Sequence, residues 1–259
     1  MRTAILTIPD QQHRIWALMG HLYTLGFPVR HPENHIGIYN GFNYRDYKTG
    51  RSVVEAMIED GHVKYKEAIN FNHLDGDDSH YEVCEWGLLN IMREIIKMRE
   101  PVLVLENDAF FRNLPVSDIE DAYDFINQQW KNLVDKVGYE HINVAMFTVI
   151  RPDLDELKSN KALEPIDDFW VKGACGPGQT ANIYTPHGAE YILNKKPPYP
   201  NIESFLYYGS DKASGSQHMP NIYSSKRGII SLHFINNFDS PHVKRDAEQV
   251  FKFYSGVQL

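Results

Sequence analysis

Two carboxylates close an apolar run in this 259-residue chain: Val102-Leu103-Val104-Leu105 is followed at once by Glu106-Asn107-Asp108. Side chains two positions apart at the end of a strand can be turned into one site. Paired carboxylates suit a hard divalent cation, Mg2+ or Mn2+, which takes one or two of them and completes its shell with waters and substrate phosphates. A nucleoside diphosphate supplies such phosphates, and the cation neutralises the charge that grows on a departing diphosphate. The competing reading is two acidic residues that cap the turn after the strand. Paired carboxylates also hold the metal ions of phosphohydrolases and nucleases, but such sites draw further Asp or His from nearby, and Ala109-Phe110-Phe111 offers none.

Other groups carry weaker chemistry. Asp75-Gly76-Asp77-Asp78 lacks the remaining ligands of an EF-hand and reads as a surface turn. Gly173-Ala174-Cys175-Gly176-Pro177-Gly178 has no following Gly-Lys-Ser/Thr, so it is not a Walker loop; close backbone approach to a ligand and an ordinary connection both fit it. Phe169 and Trp170 beside it are either a stacking face or packing anchors. Cys84 and Cys175 stand in no ligand-like pair and suggest neither a disulfide framework nor a zinc cluster.

The elements that must position the acidic pair follow from periodicity. Ala4 to Ile8 is a short apolar strand, and Ile15, Leu18, Met19 and Leu22 then fall at helical spacing until Gly26-Phe27-Pro28 stops them. Ile36 to Tyr39 is strand material, the polar stretch from Asn40 to Gly50 a loop, and Ser52 to Glu59 a short helix. Capping-box spacing at Ser79 and Glu82 opens a helix over Tyr81–Met98 with a stripe of Leu88, Ile91, Met92, Ile95 and Ile96. The run Pro101 to Leu105 suits a central parallel strand covered on both faces. A second capping box at Ser117 and Glu120 opens a helix that ends at Gly138, and Ile142 to Phe147 is the next strand. Arg151 to Asp168, charged and holding two prolines, reads as a loop or lid that orders over a ligand. Thr180 to Tyr184 is a strand, Pro186 opens a helix, Gly228 to Phe234 is the last strand, and the tail 241–259 docks as a helix. Strands alternating with helices predict one α/β domain over 1–259, an open, twisted, mostly parallel sheet flanked by helices, with ligands at the carboxyl ends of its strands.

With 42% apolar residues the chain can bury a sizeable core. A net charge of −8 gives no overall footprint for nucleic acid, although Lys195-Lys196, Lys226-Arg227 and Lys244-Arg245 keep a local basic groove open. The first residues hold too short an apolar run for a signal peptide, and no stretch approaches the roughly 18 apolar residues of a membrane span. A cytoplasmic protein without membrane insertion is expected.

Val102-Leu103-Val104-Leu105-Glu106-Asn107-Asp108-Ala109 resembles the "LVLEDDA" element of the lipooligosaccharide and collagen galactosyltransferase family. Three further blocks occur in that family's order. Ile5-Leu6-Thr7-Ile8 with His13-Arg14 is similar to its first strand and arginine, Ser79-His80 to its "SH" block, and Gly178-Gln179-Thr180-Ala181-Asn182-Ile183-Tyr184-Thr185-Pro186-His187-Gly188-Ala189 to the start of its "GTxAYxISxxGAxxLL" block. Together they span roughly Ala4 to Ser231, and the acidic and Gly-Ala blocks are the specific ones. Two positions depart: the family's middle acid is Asn107 here, and its Tyr is Asn182.

The resemblance implies a Rossmann-like glycosyltransferase fold of the GT-A type, a Mn2+ or Mg2+ ion, and a nucleotide-sugar donor, a uridine diphosphate sugar by family. It places the metal on Glu106 and Asp108, with His233 as a third ligand from the last strand, and the donor on Ile8, Arg14, His80, Gly178, Thr180 and Asn182. An acidic residue follows the Gly-Ala block in the family, and Glu203 stands there as the base an inverting transferase needs, with Asp211 as its alternate. For Glu203 a dipole-favoured acid at a helix start is the competing reading, and for His233 a packed strand histidine. The acceptor is a saccharide by family, or, in a cytosolic variant, a hydroxylated nucleobase in DNA as in viral DNA modification. A metal-dependent phosphohydrolase or nuclease and a catalytically silent nucleotide-binding module are the alternatives.

Overall fold

The computed structural model describes residues 1–8, 11–29, 36–41, 50–59, 80–111, 121–147, 164–173, 180–195, 202–207, 219–226 and 230–232, with the side chains at 12–13, 50, 53–54, 57, 80–85, 110, 203–204, 207 and 230–232 left aside. Strand β1 (Arg2–Thr7) leads into helix α1 (Gln12–Thr24), then β2 (Ile36–Asn40), α2 (Gly50–Glu59), α3 (His80–Met98) and β3 (Val102–Glu106). Next come β4 (Ala109–Phe111), α4 (Ala122–Val137), a 3-10 turn at Tyr139–His141, β5 (Val144–Met146), β6 (Glu164–Pro165) and β7 (Trp170–Lys172). The described chain finishes with β8 (Ala181–Tyr184), α5 (Pro186–Lys195), α6 (Ile202–Tyr207), β9 (Ile222–Ser225) and β10 (Ile230–Leu232).

Eight strands form one sheet in the order β2-β1-β3-β8-β5-β9-β7-β6, and β10 pairs with β4 beside it. Alternation along each strand sorts its side chains to two faces. Ala4, Leu6, Val102 and Val104 join Val144, Met146 and Tyr184 under α3, α5 and α6, where Leu88, Ile91, Met92, Ile95, Ile192, Phe205 and Leu206 pack. On the other face Ile5, Leu103, Leu105, Ala145, Phe147 and Ile183 meet Leu18 and Leu22 of α1 and Ile126 and Leu133 of α4. Each of these side chains is buried, an arrangement worth about 1.5–3 kcal/mol per large aliphatic residue. The helical stripes read from the sequence are the faces that meet the sheet.

The α/β expectation holds, but the sheet is mixed rather than mostly parallel in its pairings. β1 pairs parallel with β2 and β3, and β5 with β9. β8 lies antiparallel between β3 and β5, while β7 runs antiparallel to both β9 and β6. A continuous apolar strand such as β3 needs cover on both faces whichever way its neighbours run, so its composition carries no record of direction.

Local signals explain the element ends. Gly26 takes φ 77°, Phe27 N–H donates to Leu22 C=O at 3.0 Å and Gly26 N–H to Tyr23 C=O at 3.2 Å, the paired bonds of a Schellman close. Gly138, at φ 86°, ends α4. Thr185, fully buried, caps α5: its Oγ1 accepts from Gly188 N–H at 3.1 Å and donates toward Ile142 C=O at 2.8 Å, and Pro186 fills the first helical position.

The stretch read as an irregular loop or lid is partly regular. Glu164–Pro165 is a two-residue edge strand, and Asp167 Oδ1 accepts the N–H groups of Phe169 at 2.7 Å and Trp170 at 2.6 Å, which turns the chain into β7. The rest of that expectation, 151–163, lies outside the described residues, as do the tail 241–259, the capping residues Ser79, Ser117 and Glu120, and the loop 42–49. Among the described residues no helix is long and apolar enough to cross a membrane.

Candidate functional site

Three segments from distant parts of the sequence meet at one edge of the sheet. β1 and β3 are parallel neighbours with Leu6 opposite Glu106, so both carboxyl ends reach the same rim. Because β8 runs against β3, with Leu105 opposite Ala181, the start of β8 arrives at the end of β3. Glu106 N–H donates to Thr180 C=O at 3.0 Å, and Thr180 Oγ1 donates back to Glu106 Oε2 at 3.1 Å. The acidic block and the Gly-Ala block thus touch through a backbone bond and a side-chain bond. A carboxylate offers roughly four acceptor sites on its two oxygens, and the Thr180 hydroxyl takes one of them.

Asn107 is tied into the fold at the same rim. It is 8% exposed, and its Nδ2 donates to Thr7 Oγ1 at 2.9 Å and Gln11 Oε1 at 2.6 Å. Thr7 Oγ1 in turn donates to Ile8 C=O at 3.3 Å, and Gln11 N–H donates to the same carbonyl at 3.0 Å. The turn between β3 and β4 is therefore sewn to the junction of β1 and α1, and Asp108 sits half-buried in that turn. On its far side Ala109 pairs with Leu232 of β10, while Phe111 N–H donates to His21 Nε2 of α1 at 3.1 Å.

The remaining residues singled out from the sequence are dispersed. Ile8 follows β1 at the rim and Arg14 is half-buried in the first turn of α1. His80 begins α3 and Glu203 lies in α6; for both, the backbone alone is described. Asn182 is fully buried inside β8 and donates to Tyr184 Oη at 3.3 Å. Gly178, Asp211 and His233 lie outside the described residues. Trp170 is fully buried, with its indole N–H on Gln129 C=O at 3.1 Å and its ring edge-on to Phe147 at 5.1 Å. Of the two readings offered for it, packing anchor is the one realised.

Glu106 and Asp108 provide hard oxygen donors on a tethered turn, a donor set suited to a cation that retains waters and takes up phosphate oxygens. Among the described residues no group of three His, Cys, Asp or Glu side chains gathers to hold a metal. Much of the Gly-Ala block has a packing function instead: a Cβ on Gly188 falls 2.2 Å from Asn143 carbonyl oxygen, and Ala189 is fully buried. Sequence reasoning missed Thr7, Gln11 and Thr185. A threonine before proline at a helix start was a usable signal for Thr185, whereas no spacing links Thr7 or Gln11 to a residue about a hundred positions away.

No family model matches the chain, and no curated protein matches it. Among solved structures, the apo crystal structure of mouse xyloside xylosyltransferase 1 aligns with a TM-score of 0.34 and 6% identity, covering 85% of this chain and 77% of that one.

Proposed function

We propose that this chain is a metal-dependent glycosyltransferase of the GT-A type that moves a sugar from a nucleotide-sugar donor, a uridine diphosphate sugar in the first instance, to a hydroxyl acceptor. The observation that carries the reading is the contact between Thr180 and Glu106: the two sequence blocks that specifically resemble the galactosyltransferase family meet at the carboxyl ends of the parallel strands β1 and β3, the rim at which α/β sheets bind ligands. The first-strand block reaches the same rim, where Thr7 accepts from Asn107 of the acidic turn.

Glu106 and Asp108 would hold Mn2+ or Mg2+, which supplies charge neutralisation on the leaving diphosphate. Thr180 orients the Glu106 carboxylate, and the turn bearing Asp108 is fixed to β1 and α1 through Asn107. For an inverting transfer, Glu203 is the proposed base that takes the proton from the acceptor hydroxyl as its oxygen attacks the anomeric carbon, with Asp211 as alternate and His233 as a further metal ligand. A saccharide is the acceptor favoured by the resemblance, and a hydroxylated base in DNA is the variant to test beside it.

The test incubates the protein with a panel of nucleotide sugars and Mn2+, with and without saccharide or hydroxymethylated-DNA acceptors, and measures the nucleoside diphosphate released. Release that requires both Mn2+ and an acceptor, and that Asp108→Ala abolishes while circular dichroism stays unchanged, supports the reading. Phosphate-ester hydrolysis without sugar transfer would point to a phosphohydrolase, and binding without turnover to a silent module.

A further inference from the structure

We infer that Asn107 is a positioning residue for the acidic turn, holding Glu106 and Asp108 in register from the position where the family resemblance has a third acid. The inference rests on the functional reading above and adds to it a role for the one residue of the tripeptide that the metal chemistry does not use.

Hydrogen-bond direction at residue 107 distinguishes an amide from an acid. The two acceptors that Asn107 reaches are Thr7 Oγ1 and Gln11 Oε1, and both bonds leave from Nδ2. Thr7 Oγ1 donates its own proton to Ile8 C=O and accepts from residue 107. An ionised Asp at 107 has no proton to donate and would set a carboxylate oxygen against Gln11 Oε1 unless Gln11 turned its amide over. All three groups are nearly buried: Thr7 is 2% exposed, Gln11 8% and Asn107 8%. An unmade bond here therefore carries the full desolvation cost of a buried polar group. Both bonds occupy the amide nitrogen, which is a donor and does not ligate a hard cation. The backbone that carries Glu106 and Asp108 cannot shift from this rim without pulling Asn107 off two buried partners. Groups that orient metal ligands from behind typically change metal affinity by about 10–100-fold when removed.

The experiment measures Mn2+ binding to the intact protein by electron paramagnetic resonance at a temperature well below the melting transition, beside Tm. Wild type is compared with Asn107→Ala and with Gln11→Met, which removes one acceptor and leaves the tripeptide untouched. The expected result is a Kd for Mn2+ raised about 10-fold or more in Asn107→Ala and several-fold in Gln11→Met, with the double variant no weaker than Asn107→Ala alone because both act through one linkage. A purely structural role would lower Tm and leave Kd within twofold, and that outcome overturns the inference while leaving the metal site standing. Should Asn107→Ala not fold, Gln11→Met and Thr7→Val carry the same comparison, and unchanged Kd values in both overturn it. Wild-type protein that binds no Mn2+ overturns the functional reading and this inference together, a failure distinct from the first.

Discussion

Gly188→Ala is the substitution whose effect the geometry fixes most tightly, because the same change made elsewhere has the opposite sign. A Cβ at residue 188 falls 2.2 Å from the carbonyl oxygen of Asn143, 2.8 Å from its carbonyl carbon and 2.9 Å from its Cα. Comfortable contacts begin at about 3.5 Å, so the start of α5 must retreat by roughly 1 Å from rigid backbone. Overpacking of this kind costs about 1–3 kcal/mol. The retreat also stretches the cap bond from Gly188 N–H to Thr185 Oγ1, worth about 1 kcal/mol. Alanine's better helix propensity offsets about 1 kcal/mol, leaving a net loss of about 1–3 kcal/mol. Gly20 in α1 is the control: it is exposed and a Cβ there meets nothing within 4 Å, so Gly20→Ala should gain about 0.5–1 kcal/mol. Thermal unfolding followed by circular dichroism reads both, since 1 kcal/mol moves Tm by about 2–4 °C in a chain of this size. Gly188→Ala should melt about 3–10 °C below wild type and Gly20→Ala slightly above it. A Gly188→Ala protein as stable as Gly20→Ala would refute the close approach of α5 to Asn143.

Three further outcomes are expected. Glu203→Gln should lower turnover by about 10²–10⁴-fold with nucleotide affinity nearly unchanged, read from steady-state kinetics and donor titration; loss of donor binding instead would place Glu203 against the donor. Thr180→Val removes the hydroxyl that orients Glu106, so the Mn2+ concentration giving half-maximal turnover should rise about 10-fold, and an unchanged metal requirement would deny Thr180 that role. Asp167 is pushed up by desolvation but pulled down further by the Lys136 hydrogen bond, the Trp170 and Phe169 N–H groups and the Lys136 charge, which leaves its carboxyl below the usual range. A carboxyl depressed in the folded state contributes stability above its unfolded pKa of about 4 and loses it as pH falls through the folded value. The stability gap between wild type and Asp167→Asn in urea unfolding should therefore be present at pH 7 and shrink below pH 4; a gap independent of pH would contradict the assignment.

What the sequence revealed depended on length and periodicity. The stripe on α3 and the run of β3 repeat the helical and strand patterns long enough to be read, and their burial follows the reading. β4, β6 and β7 are two or three residues long, too short for any period to register. β9 is half serine, and Ser224 and Ser225 look like loop residues until their burial is seen, with Ser224 Oγ on Gly173 C=O at 2.7 Å. The acidic pair was legible because carboxylates after a buried strand are unusual. The partners of Asn107 were not, since Thr7 and Gln11 become its neighbours only once β1 lies beside β3. Trp170 stayed open between two readings, because an aromatic next to glycines offers the same letters whether it stacks on a ligand or fills the core.

The antiparallel seat of β8 between β3 and β5 sets an order on folding during synthesis. β1, β2 and β3 are complete once residue 106 has been made, yet the hydrogen-bonding edge of β3 that β8 fills stays open until residue 184 emerges. At about 5–20 residues per second, the intervening stretch of roughly 80 residues leaves that edge uncovered for about 4–16 s. An open strand of Val102, Leu103, Val104 and Leu105 is the kind of surface on which nascent chains pair with one another. Slow translation between these points would lengthen the exposure, and a truncated product ending before Ala181 would carry it permanently.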